Sequence, residues 1–390
     1  MAQIYLKKDR ELPVLRGHPW IFSGAIARSD GEEEPGVADV YDFKGTWIAR
    51  GLYNPKSQIR VRVLTSENEP VDGAFFARRL RQAYGFRQQQ LSATTSAYRI
   101  INGEGDLLPG LIVDRYGAFL VCQFYSSGMA LFRDEILTIL SDFESVDGIF
   151  ERTEGRVGDE EGLSSSIGVA RGEAPPPAIE ITENGYKFFV DVRRGQKTGF
   201  FLDQRDNRAF LAALVRNRTV LNCFAYTGAF SAYAFAGGAT EVVTFDSSQA
   251  ALELAERNLA VNGFADAPGE LLKGDAFAYL KEIDRRFDGI VLDPPSLAHK
   301  RSDVDAAAGG YKFLNLHALR HLHSGGVLLT FSCSQHLSID LFQKIVFGAA
   351  VDAHRKVAVI KRLGQPIDHP VSLHHPEGEY LKGLALRVLD

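Results

Sequence analysis

From Thr219 onward the chain alternates short apolar runs with segments of helical period. Strands are expected to start at Thr219, Glu241, Glu270, Asp288 and Gly326, with helices at Ser231–Ala236, Ala250–Val261 and Phe313–Leu322 between them. Such alternation predicts a doubly wound, mostly parallel sheet with right-handed crossovers. Two later runs, Lys356–Ile360 and Leu381–Val388, add two further strands as a terminal hairpin. Within this pattern Gly289-Ile290-Val291-Leu292 ends in Asp293-Pro294-Pro295-Ser296, and Gly326-Val327-Leu328-Leu329-Thr330-Phe331 ends in Ser332-Cys333-Ser334. Both runs read as buried parallel strands. Ligands of open α/β sheets bind beyond the carboxyl ends of the strands. As neighbours, these two would hold the Asp293 carboxyl group and the Cys333 thiol over one crevice.

The first half is patterned differently. Residues 1–72 alternate strand-like runs, such as Thr46–Leu52 and Ile59–Leu64, with Gly and Pro punctuation, which predicts a small β-rich module. Near its start, Arg16-Gly17-His18-Pro19-Trp20-Ile21-Phe22-Ser23-Gly24 has two readings. It is either a turn followed by aromatic core residues, or a surface where Arg16 and His18 meet phosphate and a ring stacks on a base. The spacing of Phe75, Phe76, Leu80, Tyr84 and Leu91 predicts an amphipathic helix over 72–91, with Arg78, Arg79, Arg81 and Arg87 on its polar side. An α+β unit follows, with strands near Tyr98–Ile101, Leu111–Val113 and Phe119–Phe124 and a helix through Leu131–Leu140. Gly155 to Pro177 is loop-like in composition, and the main boundary is expected near its end. The expected domains are 1–72, 73–178 and 179–390.

Charge and cysteine content narrow the setting. The net charge of −5 hides an excess of Lys and Arg in residues 1–90, 14 against 11 Asp and Glu. That mild excess places any electrostatic contact with nucleic acid in the N-terminal part. No apolar run is long enough to span a bilayer, and Lys7, Lys8 and Arg10 precede no apolar signal core, so a cytoplasmic protein without a membrane partner is expected. Three cysteines make no disulfide framework and no Cys/His spacing marks a zinc site, so no metal is expected.

The loop after the first strand of the second half reads Asn222-Cys223-Phe224-Ala225-Tyr226-Thr227-Gly228-Ala229. It is neither the Gly-x-Gly-x-x-Gly dinucleotide fingerprint nor a P-loop. Gly228 alone would let the backbone approach a ligand closely. The second strand ends in Asp246, placed to accept from both hydroxyls of a ribose, and the third in Asp275, which could accept from an adenine amino group. Either acid singly could be a helix N-cap. Acids at successive carboxyl ends, followed by Asp293-Pro294-Pro295, resemble the class I S-adenosylmethionine-dependent methyltransferases.

The resemblance extends over nearly the whole chain. The sequence is similar to the PUA-linked family of large-subunit ribosomal RNA methyltransferases that make 5-methylcytosine. The matching stretches are Gly17–Gly24, Gly105–Tyr116, Lys197–Arg208, Leu221–Ser231, Asn258–Gly263, Asp293–Pro295, Gly310–Lys312, Thr330–Ser334, Asp368–Pro370 and Pro376–Gly383. One departure is Ser296-Leu297, where the family more often has a basic and an aromatic residue, which bears on the shape of the target pocket. The resemblance implies a PUA domain, an α+β linking domain and a Rossmann-like catalytic domain with a mostly parallel seven-stranded sheet. It implies S-adenosyl-L-methionine as cofactor, bound by Gln204, Phe224, Ala225, Tyr226, Thr227, Gly228, Asp246, Ser247, Asp275, Ala276, Phe277 and Asp293. The implied partner is large-subunit ribosomal RNA, contacted by Arg16 and His18, with a homodimer as one further option.

The chemistry that family performs needs a thiol and an acid. Carbon 5 of cytosine is a poor nucleophile until a thiolate adds to carbon 6, which splits one difficult step into two. The resemblance makes Cys333 the nucleophile and Asp293 the group that holds and polarises the base. Cys122, mid-strand, reads as core and Cys223 as support for the cofactor loop. The base must be flipped out to react. Two other readings remain: methylation of a guanine nitrogen, which needs no thiol, and a non-catalytic RNA-binding factor.

Overall fold

A computed structural model of the chain describes residues 1–31, 34–154, 161–298 and 300–390. Contact density divides them into two units. The first comprises residues 1–185, 190–202 and 367–378, and the second 186–189, 203–366 and 379–390. The segments expected as 1–72 and 73–178 thus fall in one unit, joined there by two returning segments from later in the chain.

The first unit holds a six-stranded sheet built from residues 2–65, in the order Trp20–Phe22, Ile59–Thr65, Trp47–Tyr53, Gly36–Tyr41, Ala2–Leu6, Ile26–Asp30. Ile4, Val40, Ala49 and Val61 alternate inward and are buried, so period-two patterning made this module legible. A five-stranded sheet follows, from Ala97–Asn102 to Ser166–Gly172. The helix expected over 72–91 is Gly73–Gln90, capped by Asp72, whose carboxylate accepts from the Phe75 amide at 3.0 Å. Phe75, Phe76 and Leu80 pack into the core of the five-stranded sheet.

Two expectations for this unit are corrected. Arg87 is not on the polar face of its helix: its side chain is 1% exposed and pairs with Asp106. The stretch 155–177 is not loop throughout, since Ser166–Gly172 pairs antiparallel with Gly148–Thr153. Small residues, with Gly168 inside that strand and Gly172 at its end, hid its period. Residues 155–160 of the same expected loop lie outside the described residues.

The second unit contains the doubly wound sheet. Its strands are β1 (Thr219–Cys223), β2 (Glu241–Asp246), β3 (Gly269–Lys273), β4 (Phe287–Leu292), β5 (Leu322–Ser332), β6 (Val357–Leu363) and β7 (Lys382–Val388). Their spatial order is β3-β2-β1-β4-β5-β7-β6. The first five are parallel, while β7 runs antiparallel to both β5 and β6. The order reverses at β1, so the crevice over β1 and β4 is the topological switch point at which such sheets bind ligands. The helices are α1 (Ala229–Ala236), α2 (Gln249–Val261), α3 (Ala276–Glu282), α4 (Val304–Arg320) and α5 (Ile339–Asp352). Ile290, Leu292 and Leu328 are fully or almost fully buried between the helical layers, as expected of central parallel strands. Helix α4 begins nine residues before the expected Phe313, because Gly309-Gly310 reads as a breaker yet lies within the helix.

Candidate active site

The loop after β1 is held in an unusual backbone conformation. Phe224, Tyr226 and Gly228 have φ of 59°, 49° and 74°. Two bulky residues in the left-handed region within five positions cost energy and persist only where their surroundings enforce them. The enforcing contacts come from the neighbouring elements. The Tyr226 amide donates to Asp246 Oδ2 at 2.8 Å, and the Ala225 amide to the Phe245 carbonyl at 3.0 Å. Asn258 on α2 donates to the Thr227 carbonyl at 2.9 Å. Gly228 is required for packing as well as for its φ, because a Cβ there would lie 2.8 Å from the Cβ of Ala255.

Asp246 is not a helix cap. Ser248 caps α2, accepting from Ala251, and Asp246 takes the Ser248 amide on its other oxygen at 2.8 Å. Its half-buried carboxylate stands at the end of β2 with acceptor capacity to spare. Asp275 does cap its helix, accepting from Ala278 at 2.8 Å, and is exposed beside half-buried Phe277. Ser247 is exposed and Ala276 buried. The donor set fits S-adenosylmethionine: acids follow β2 and β3, and a strained loop presents backbone amides. The Thr227 hydroxyl on that loop is buried with no hydrogen-bond partner among the described residues.

Asp293 and Cys333 are the first residues after β4 and β5, which pair directly with Leu292 opposite Thr330. Cys333 Sγ lies 4.0 Å from the Pro294 carbonyl oxygen. Gln204, expected among the cofactor ligands, is 1% exposed and donates to Asp293 Oδ2 at 3.0 Å; Asn207 donates in turn to Gln204 Oε1 at 2.6 Å. Gln204 therefore orients the acid. Of the three thiols only Cys333 is part-exposed. Cys122 and Cys223 are wholly buried, and burial pushes both far up in pKa, so neither is available as thiolate.

Residues outside the expected set complete the site. The Ser334 hydroxyl lies 2.9 Å from Tyr311 Oη and 3.1 Å from Ser296 Oγ, and accepts from the Ala298 amide at 3.2 Å. Ser296 thus ties the loop carrying Asp293 to the loop carrying Cys333. Lys382, 4% exposed, reaches the same place from β7 and donates to the Ser334 carbonyl at 2.8 Å. Tyr311 and Lys382 lie within stretches that carry the family resemblance, Gly310–Lys312 and Pro376–Gly383, but only the folded chain brings them to the cysteine.

In the first unit, Arg16 is exposed, whereas His18 is half-buried and engaged. Its Nδ1 takes the Trp20 amide at 3.1 Å and its Nε2 lies 3.9 Å from Glu377. With His375, these residues offer ligand atoms within 4.8 Å of one another, a grouping no sequence spacing could announce. No helix of the described residues is long and apolar enough to cross a membrane.

The strand order, the acids after β2 and β3 and the Asp-Pro-Pro turn define a class I S-adenosylmethionine-dependent methyltransferase. Comparison with known families agrees: residues 165–374 match the S-adenosylmethionine-dependent methyltransferase family, and residues 4–66 match a PUA-like domain. The chain is 46% identical to ribosomal RNA large subunit methyltransferase I of Tolumonas auensis, over 99% of each chain. It is 44% identical to the protein of that name from Escherichia coli O157:H7, over 100% of each. The chain belongs to this family. It shares its fold with a protein from Streptococcus mutans described as a SAM-dependent methyltransferase, with a TM-score of 0.86 at 23% identity and full coverage of both chains. A second solved structure, described as a methyltransferase complexed with SAH, superimposes with a TM-score of 0.88 at 24% identity over both full chains.

Asp246→Ala should weaken S-adenosylmethionine binding by about 1–3 kcal/mol in a calorimetric titration, since a ribose loses a charged acceptor and the loop amide of Tyr226 its restraint. Unchanged affinity would remove Asp246 from the cofactor site.

Proposed function

We propose that the protein transfers a methyl group to carbon 5 of a cytosine in large-subunit ribosomal RNA through a covalent adduct with Cys333. The observation that carries this reading is the pairing of β4 with β5, which sets Asp293 beside the one part-exposed thiol. The RNA class rests on the name shared by relatives 44–46% identical over the whole chain. When bound, S-adenosylmethionine supplies the electrophilic methyl group. Cys333 adds as thiolate to carbon 6 of the flipped base and so makes carbon 5 nucleophilic. Asp293, oriented by Gln204, holds the ring edge and controls charge at nitrogen 3. The loop bridge through Ser296 and Ser334 keeps acid and thiol at a fixed separation, which is the condition for a productive encounter. A methylated guanine nitrogen would leave the thiol without a task.

The test is to map 5-methylcytosine in large-subunit ribosomal RNA from cells with and without this protein. One cytosine should lose its methyl group completely in the deletion and regain it on complementation. An unchanged 5-methylcytosine map with a lost methylguanine would overturn the reading.

RNA contact in this reading falls to Arg16, which is free in solvent, rather than to His18, which is occupied within its own unit. Arg16→Ala should flatten the dependence of RNA affinity on salt by about 0.7–0.9 in log–log slope, while S-adenosylmethionine affinity stays constant. A slope equal to that of the unaltered protein would return Arg16 to the solvated surface.

A further inference from the structure

Lys382 is a cation placed where apolar residues would be expected. It sits on β7 opposite Ser332 of β5, the residue immediately before Cys333. Its ammonium donates to the carbonyl of Ser334, the residue immediately after Cys333. Only 4% of it is exposed. A hydrogen bond to one neutral carbonyl does not compensate the burial of a full charge. A lysine kept in such a place is commonly tuned to lose its proton.

The proposed reaction leaves one step without a residue. After the thiolate has added to carbon 6 and the methyl group has joined carbon 5, that carbon carries both a methyl group and a hydrogen. Two large groups adding across one double bond take opposite faces of the ring. The hydrogen therefore lies on the sulfur face, and the base that removes it must stand beside the cysteine. Asp293 holds the ring edge, and Tyr311 is a phenol whose pKa is raised by burial and whose hydroxyl is committed to Ser334.

We propose that Lys382 is the base that removes the carbon 5 proton and so resolves the adduct with Cys333. Its neutral amine takes the proton, the carbon–hydrogen electron pair re-forms the bond between carbons 5 and 6, and the carbon–sulfur bond breaks. The thiolate leaves beside a newly formed ammonium, a cation that stabilises it. The charged groups that act on Lys382 agree with this cycle. Burial lowers its pKa to about 8, against the opposing pull of Cys333 and Glu379. Once sulfur is bonded to carbon the pull of Cys333 is gone, and the amine is freed more readily still. The inference rests on the cysteine reading above and adds the group that completes its cycle.

The test uses the full-length protein, S-adenosylmethionine and unmethylated large-subunit ribosomal RNA with ordinary cytosine. Lys382→Met should accumulate a denaturant-stable protein–RNA adduct carrying the transferred methyl group, while release of methylated RNA falls by about 10²–10⁴-fold. Lys382→Ala should do the same and be released by added propylamine. In the unaltered protein, adduct resolution should slow about tenfold for each pH unit below the pKa of the base, a measurement that needs no variant. Methylated RNA released by Lys382→Met at the unaltered rate would overturn the assignment. So would a Lys382→Met protein that binds S-adenosylmethionine normally yet forms no adduct, while the unaltered protein still traps 5-fluorocytosine. Failure of the unaltered protein to trap 5-fluorocytosine would remove the cysteine reading, and the base with it.

Discussion

Cys333→Ala should abolish methylation, lowering the rate by roughly 10⁴–10⁶-fold, the usual consequence of losing a nucleophile that acts as one unit with its neighbours. The more specific readout is a trap. RNA carrying 5-fluorocytosine at the target position should stall the unaltered protein as a covalent adduct, because fluorine cannot leave as a cation once the methyl group is on carbon 5. The adduct should require S-adenosylmethionine and should vanish in Cys333→Ala. Cys122→Ala and Cys223→Ala should still trap, since both thiols are wholly buried and held protonated by burial. Peptide mapping decides between strands: a crosslink at Cys223 would move the nucleophile from the end of β5 to the end of β1. Full activity in Cys333→Ala would exclude the covalent route and favour transfer to nitrogen. Asp293→Asn should slow trapping while RNA affinity stays, because the base is still held but less polarised.

Much of this site was legible because its parts follow strands. Short apolar runs locate β1, β2, β4 and β5, and Asp246 at the end of β2, Asp293 just past β4 and Cys333 just past β5 are then placed by the fold itself. The strained loop was only partly visible. Gly228 could be marked, but nothing local shows that Phe224 and Tyr226 are also left-handed, since the Asp246 carboxylate that helps hold them lies 20 residues away. Gly309-Gly310 misled in the opposite sense. Two glycines suggest a break, yet Gly310 sits inside α4, where a Cβ would come within 3.1 Å of Leu297 on the loop after Asp293. The glycine permits a close approach of helix and loop at the cost of helix propensity. Strand insertion is beyond periodicity altogether. A terminal hairpin could be expected from Lys356–Ile360 and Leu381–Val388, but not that β7 would wedge between β5 and β6 and deliver Lys382 to the cysteine. The hydrogen bond from Gln204 to Asp293 is hidden for a related reason: the two lie 89 residues apart, and only the folded chain joins them.

Arg87 shows that an arginine's chemistry is no guide to its place on a helix, and it sets the largest expected effect on stability. On the Gly73–Gln90 helix it lies about 180° around the axis from exposed Arg78 and falls instead with Phe76, Leu80 and Ala83 on the buried face, where it is 1% exposed. Its guanidinium forms two hydrogen bonds to Asp106, at 2.5 and 2.7 Å, and donates to the carbonyls of Arg99 and Asp368 at 3.1 and 2.9 Å. One side chain thus joins a helix, a strand, the turn after it and a segment returning from residue 368. Arg87→Met removes the cation but leaves the Asp106 carboxylate, 8% exposed, without its main partner. The expected loss is about 3–5 kcal/mol, the range for breaking one side of a buried pair. Arg87→Met with Asp106→Leu should recover a large part of it, because the penalty lies chiefly in the stranded charge rather than in the lost attraction. Arg81→Ala, one and a half turns away and exposed, should change stability by less than about 0.5 kcal/mol. The measurement can be made on the first unit within the intact chain. The protein has two tryptophans, Trp20 and Trp47, and both belong to that unit, so urea unfolding followed by tryptophan fluorescence reports it selectively. A fluorescence midpoint that does not move in Arg87→Met would show that the buried pair contributes nothing net. Equal losses in the single and double variants would place the effect in the carbonyl contacts instead.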